Sequence, residues 1–218
     1  MAGPPELSDL PYAAHLTAHE GDLAAHGDYD TVLFERLDLA EPSAPSARFL
    51  ECAFSRVSMT GGKLQRAALR DVWMRDVRLT GTALTESHWL DVTVLASSLA
   101  GAQIYGSELR RVVFSGCKLD SVNFRGSRLT SVRFDKCVLR DVDFRDAELT
   151  QCTFSGSDLT RTDFGRTRMD RTDLRDAELG VIIDAQSLRG AILSSGQLAV
   201  VAPVLAETLG IVINDDPV

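Results

Sequence analysis

The large apolar residues of this chain follow a period of five. From Phe49 to Leu179, every fifth residue is large and apolar, without an interruption. An α-helix repeats every 3.6 residues and a flat strand every two, so neither element produces this spacing. A short repeat maintained over this length is typical of a solenoid, in which each unit packs only on its neighbours. The pattern therefore predicts a solenoid for most of the chain.

A second position of each repeat is also apolar or small. Two residues before each large residue stands a small one, for example Ala67, Val72 or Cys117, and the other three positions are mostly Asp, Arg, Thr, Ser and Gly. Two inward and three outward residues in every five indicate a coil with short sides. We expect the small residue to lie where the backbone crowds the interior, and the large residue to fill the middle.

The repeats resemble those of a known family. The stretches Val142-Asp-Phe-Arg-Asp, Ala147-Glu-Leu-Thr-Gln and Ser157-Asp-Leu-Thr-Arg are similar to the A(D/N)LXX unit of the pentapeptide-repeat family. The resemblance covers about residues 31–193. It implies an all-β solenoid, a right-handed quadrilateral β-helix with four pentapeptides per coil and helical terminal caps.

Four repeats per coil would stack residues that are twenty positions apart. The sequence repeats residue types at this spacing at Phe114, Phe134 and Phe154, and at Gly61, Gly81 and Gly101. The phenylalanines are predicted to share one side of the coil. The glycines are predicted to share a corner that needs a permissive backbone.

Three segments are predicted from these patterns. Residues 1–30 lack the strict repeat and form an N-terminal cap, residues 31–193 form the β-helix, and residues 194–218 form a C-terminal helical cap. Caps are expected because a solenoid exposes its apolar core at each end. Ser194 and Gln197 have the spacing of a capping box at the start of the last segment.

The C-terminal segment has apolar residues at helical spacing, namely Leu198, Val201, Leu205 and Leu209. Pro203 lies among them and is predicted to kink or split the helix. This apolar face is expected to cap the coil. The resemblance implies that it also forms the contact of a homodimer.

The net charge of −8 is unevenly distributed along the chain. Residues 1–48 carry nine acidic and two basic residues, whereas residues 49–179 carry 18 acidic and 20 basic ones. The predicted β-helix is thus nearly neutral. It has neither a basic stripe for direct nucleic-acid binding nor the charge density of a DNA duplex, which is one negative charge per roughly 1.7 Å.

The function implied by the resemblance is protein binding without catalysis. The best-known family members resemble DNA in shape and charge and bind DNA gyrase in its place. The leading hypothesis is therefore a gyrase- or topoisomerase-binding protein that modulates the enzyme or protects it from quinolone-type inhibitors. The near-neutral repeats argue against charge mimicry. The alternative is a scaffold for another protein partner, which would bind at the apolar outward residues Trp73, Leu95 and Val113. These residues would not be open to a partner if the N-terminal segment folds back over them.

Motifs for other chemistry are missing from the sequence. No nucleophile elbow, zinc-protease, P-loop or dinucleotide-binding pattern occurs, so we expect no enzyme activity and no cofactor. His15 and His19 could share a helix face, but a third ligand at fixed spacing is missing, and no metal site is predicted.

No apolar run is long enough to cross a membrane, and the Pro-rich, acidic first ten residues do not resemble a signal peptide. We therefore expect a cytoplasmic protein.

Overall fold

The computed structural model describes residues 4–180 and 186–212. The described chain winds as a parallel β-solenoid in which one coil takes twenty residues, so that Leu109, for example, pairs with Trp89 on one side and Leu129 on the other. This arrangement confirms the predicted fold class, a four-sided β-helix of five-residue repeats.

Two of the four sides are continuous parallel sheets. The first sheet contains, in spatial order, β1 (Thr17–Ala18), β3 (Val32–Glu35), β5 (Ala53–Ser55), β7 (Trp73–Arg75), β9 (Thr93–Leu95), β11 (Val113–Ser115) and β13 (Arg133–Asp135). The second contains β2 (Asp28–Asp30), β4 (Arg48–Leu50), β6 (Ala68–Arg70), β8 (His88–Leu90), β10 (Glu108–Arg110), β12 (Arg128–Thr130), β14 (Glu148–Thr150) and β15 (Arg168–Asp170). The other two sides are held by isolated bridges between residues twenty apart, such as Ser98 with Lys118. The outward residues of all four sides therefore form columns along the rod.

The strands are short because the chain turns a corner after each repeat. The predicted glycine corner is present, with left-handed φ angles of +69°, +65° and +68° at Gly61, Gly81 and Gly101. Other corners place an ordinary residue in this conformation, for example Glu51 and Asp71. The left-handed region costs such a residue about 1–2 kcal/mol. A hydrogen bond to the next coil offsets this cost, since the amide of Asp71 donates to Leu90 O at 3.0 Å.

Stacked aromatic rings fill the C-terminal half of the core. The Phe144 ring lies parallel to Phe124 and Phe164, with centroids 5.1 and 5.2 Å away. It also meets Phe134 and Phe154 edge to face. All five rings are essentially inaccessible to solvent. The core is therefore one continuous apolar column rather than a set of separate units.

Polar side chains also occur at the small inward position, where they form hydrogen bonds inside the core. Ser127 Oγ donates to Ile104 O at 2.8 Å, and Trp89 Nε1 donates to Ser87 Oγ at 2.7 Å. The four cysteines also occupy this position, and all are buried and free. Burial raises the pKa of the Cys52 thiol to about 11, so this thiol stays protonated at neutral pH.

Both ends of the solenoid are covered. At the start, β1 pairs with β3 and adds a strand to the first sheet. At the end, β16 (Thr172–Asp173) pairs with β17 (Ala191–Ile192), and the helix α1 (Ser195–Thr208) follows. The side chain of Gln197 donates to the carbonyl oxygens of Leu174 and Ala177 in the last coil, at 2.6 and 3.0 Å. It thereby satisfies backbone acceptors that have no further coil to bind.

The predicted capping box is present at the start of α1. The amide of Gln197 donates to Ser194 Oγ, and the amide of Ser194 donates to Gln197 Oε1. The predicted split at Pro203 is wrong, because α1 continues through this residue as one helix. The N-terminal segment contains two short 3₁₀ turns, Leu7–Asp9 and Ala13–His15, rather than longer helices.

Candidate protein-binding surfaces

The apolar patch on the first sheet is covered by the start of the chain. Trp73 and Leu95 are only 2% and 4% exposed, and together with Ala53 they form a cluster of their own outside the coil. Residues 5–16, called here the N-terminal strap, run across this cluster. The side chains that pack on it are Leu7, Leu10, Leu16 and Leu33.

Polar contacts fix the strap in this position. Trp73 Nε1 donates to Pro5 O at 2.9 Å, which satisfies the indole N–H in its buried site. Arg75 on the same strand binds the carboxylate of Glu6 through two guanidinium nitrogens. The strap therefore has both an apolar and a polar attachment to the first sheet.

These contacts correct the expectation of an exposed site at Trp73, Leu95 and Val113. Trp73 and Leu95 are buried beneath the strap, and Val113, one coil further on, is half-buried. The three residues lie on neighbouring strands of the first sheet, as the repeat predicts. They do not form an open apolar surface, because the N-terminal segment occupies it.

The C-terminal helix leaves part of its apolar side uncovered. Val201 is only 4% exposed and Leu205 is half-buried, whereas Leu198 and Leu209 are 50% and 75% exposed. Leu198, Ala202, Leu205 and Leu209 follow at spacings of four, three and four residues, which places them on one side of the helix. We call these four residues the C-terminal ridge. Three of its four residues are exposed and Leu205 is half-buried, so the ridge is an apolar strip that faces solvent along most of its length.

The rest of the described surface is dominated by ion pairs between coils. Arg161 binds Asp141 and Arg166 binds Asp146, each across twenty residues and at 2.6 to 2.7 Å. The hydrogen bond from Arg161 holds the pKa of Asp141 below its ordinary value. Exposed pairs of this kind contribute little to stability, but they neutralise the acidic residues of this part of the rod.

The described residues contain no group of three potential metal ligands and no helix long and apolar enough to cross a membrane. Nothing in this part of the chain indicates catalysis. Two apolar surface features remain: the cluster at Trp73, which the strap covers, and the C-terminal ridge, which is largely exposed.

Residues 97–164 match the family model described as a pentapeptide repeat region. No curated protein matches the chain. The matched residues form coils in the middle of the solenoid. The same twenty-residue pairing continues on both sides of them, from Leu33 with Ala53 to Leu149 with Met169.

Several solved structures are similar to this chain at low sequence identity. HetL, a pentapeptide repeat protein involved in heterocyst differentiation regulation in the cyanobacterium Nostoc sp., is 18% identical, with a TM-score of 0.41 over 81% of this chain and 93% of HetL. QnrB1, a plasmid-mediated fluoroquinolone resistance protein, is 18% identical, with a TM-score of 0.40 over 90% of this chain and 96% of QnrB1. Rfr23, a pentapeptide repeat protein from the cyanobacterium Cyanothece, is 13% identical, with a TM-score of 0.21 over 73% and 90%.

The family match and the geometry of the coils agree on the repeat. The matched residues carry five-residue units, and the described residues outside them continue the same four-sided coil with the same inward positions. Residues 97–164 are therefore a pentapeptide repeat region, and the coils on both sides of them have the same twenty-residue pairing.

Proposed function

We propose that this protein is a non-catalytic binding protein that forms a homodimer through the C-terminal ridge. The observation that supports this proposal is the exposure of the ridge, since a helix that only capped the coil would need to present just its inner side. A second copy can cover Leu198 and Leu209, each at least half exposed in the single chain. The resemblance to the pentapeptide-repeat family implies the same contact.

Charged substitutions on the ridge test the dimer. Ala202 and Leu209 are exposed in the single chain, so Ala202→Lys with Leu209→Lys leaves the monomer fold intact. The dissociation constant of the dimer should rise by at least about 100-fold, because each copy would bury two ammonium groups where the wild-type interface buries apolar side chains. Sedimentation equilibrium measures this constant directly.

A matched control lies on the same helix. Val200 is 64% exposed and lies two residues from Leu198 and Ala202, which places it on the other side of the helix. Val200→Lys should leave the dimer unchanged. A wild-type chain that is a monomer at working concentrations, or a dimer that tolerates the ridge substitutions and not Val200→Lys, would contradict the proposal.

The partner that we propose for this dimer is DNA gyrase or a related topoisomerase. This choice rests on the family resemblance, and the protein would modulate the enzyme or protect it from quinolone-type inhibitors. Charge mimicry of DNA does not support it, because residues 49–179 carry 20 basic and 18 acidic residues. Recognition of the enzyme would therefore depend on shape and on local groups, inside the cytoplasm.

A supercoiling assay with purified gyrase tests this partner. The protein should inhibit supercoiling, or rescue the enzyme from cleavage induced by a fluoroquinolone, at low micromolar concentration. The Ala202→Lys, Leu209→Lys variant, which is monomeric in the proposal, is the matched control and should be weaker. No effect of the wild-type protein at high excess would exclude gyrase and favour the alternative, a scaffold for another protein.

A further inference from the structure

A surface cavity of about 230 Å³ lies where the N-terminal strap meets the corner between the two sheets. Its lining includes Tyr12 of the strap, Trp73 of β7 and the corner residues Glu51, Asp71 and Asp91. The three acidic residues are twenty positions apart and follow one another along the rod. The cavity thus combines an aromatic wall with a column of carboxylates.

Stacking three acidic residues in one column is unfavourable without compensation. Successive coils lie about 4.8 Å apart, and like charges on neighbouring strands destabilise a sheet. Among the described residues no other column stacks three acidic residues, although Asp143 with Asp163 and Asp158 with Glu178 stack in pairs. On the second sheet Arg128, Glu148 and Arg168 alternate in sign, and the glutamate is bound by both arginines at 2.7 to 3.0 Å.

The compensation of the acidic column is incomplete. Asp91 receives two hydrogen bonds of 2.6 Å from Arg111, which lower its pKa. Asp71 lies 3.5 Å from Arg70 Nε. Glu51 has no ion-pair partner within residues 4–180 and 186–212. One half-buried carboxylate at the cavity is therefore without a cation.

Tyr12 provides a second and independent indication of a ligand. Its side chain is only 7% exposed, yet among the described residues its hydroxyl has no hydrogen-bond partner. Burial raises the pKa of this phenol, and the charges of Asp71 and Glu51 raise it further, so the hydroxyl stays neutral in a negative potential. The oxygen of this hydroxyl still reaches solvent, in the cavity that Tyr12 lines. A hydrogen-bond donor that enters the cavity can bind this oxygen in place of water.

We propose that this cavity binds the guanidinium group of an arginine side chain from a protein partner. A guanidinium carries five N–H donors in a planar fork, which can bind the carboxylates of Glu51 and Asp71 in neighbouring coils and the hydroxyl oxygen of Tyr12. The apolar wall at Trp73 contacts the stem of the side chain. The proposal rests on the protein-binding function above and names one chemical group that the partner supplies.

Titration of the full-length chain with N-acetyl-arginine methylamide tests the site, with the neutral isostere N-acetyl-citrulline methylamide as control. The two indole N–H signals in the NMR spectrum report on it, since Trp73 lines the cavity and Trp89 lies in the core as an internal reference. We expect a saturable shift of the Trp73 signal with the arginine compound. Binding of citrulline should be at least about tenfold weaker, because it lacks the charge that the carboxylates attract.

Two conservative variants locate the binding group. Glu51→Gln should weaken arginine binding about tenfold, and Tyr12→Phe should weaken it by a smaller factor. Glu86→Gln is the matched control and should have no effect, because Glu86 has the same left-handed corner conformation, with φ of 55° against 50° for Glu51, and does not line the cavity. Absence of saturable arginine binding, equal binding of citrulline, or an unchanged affinity in Glu51→Gln would overturn the proposal. Neither dimerisation nor gyrase inhibition enters this readout, so the failure of those proposals remains distinguishable from the failure of this one.

Discussion

Replacing Phe144 with alanine is expected to lower the free energy of unfolding by about 3–5 kcal/mol. Phe144 is fully buried and lies between Phe124 and Phe164, whose ring centroids are 5.1 and 5.2 Å away. The substitution removes the buried ring and its contacts with the neighbouring aromatic rings. It leaves a cavity that the rigid coils above and below cannot fill. For a chain of this size the melting temperature should fall by about 6–20 °C.

Thermal and urea unfolding, followed by circular dichroism, measure this change in stability. Phe144→Leu is the matched control, since leucine occupies the same inward position in other repeats, for example at Leu109 and Leu129. This swap should cost less than about 1.5 kcal/mol. An alanine variant as stable as the leucine variant would contradict the continuous aromatic core.

Replacing Trp73 with alanine is expected to destabilise the protein by a similar amount, about 3–5 kcal/mol. Although Trp73 stands at an outward position of its repeat, it is 2% exposed and packs against Leu7, Leu10 and Leu16 of the strap. An exposed hot-spot tryptophan would instead cost almost no stability when it is removed. The free energy of unfolding in urea thus decides whether Trp73 holds the strap or serves as a site for a partner.

Two controls separate the contributions of the strap contacts. Trp73→Phe keeps an aromatic side chain but removes the 2.9 Å hydrogen bond to Pro5 O, and it should cost about 1 kcal/mol. Glu6→Gln removes the exposed ion pair with Arg75 and should cost at most about 1 kcal/mol. A destabilisation by Trp73→Ala that is no larger than that by Glu6→Gln would show that the apolar contact with the strap is unimportant.

The solenoid could be predicted from the sequence because its determinants are local. Each inward position, such as Leu109, is set by its place in a five-residue unit, and pairing across twenty residues follows from four units per coil. The capping box at Ser194 and Gln197 was predictable for the same reason, since its two residues are three positions apart. The continuous helix through Pro203 was not, because the only local signal at that position is the preference of proline against a helix interior.

The covering of Trp73 could not be derived from periodicity. Pro5 and Trp73 are 68 residues apart, and the strap has no repeat that would indicate where it lies. A signal was nevertheless present in the sequence. Ala53, Trp73 and Leu95 are apolar at neighbouring outward positions, and leucines at positions 7, 10 and 16 stand in a segment without a core of its own. The cavity at Tyr12 exists only once these two groups meet.

The strap also makes the two ends of the rod respond differently to a pulling force. Backbone contacts between coils join residues about twenty apart, as in the bond from the amide of Asp158 to Cys137 O. Tension on the C-terminal end, once the cap at Gln197 has given way, can therefore peel off one coil at a time. At the other end Pro5 and Glu6 are fastened to Trp73 and Arg75, which lie two strands beyond β3 in the first sheet. No coil can be peeled from that end until the strap is released, so unfolding from the N-terminus is expected to begin with a separate event, the detachment of the strap from β7.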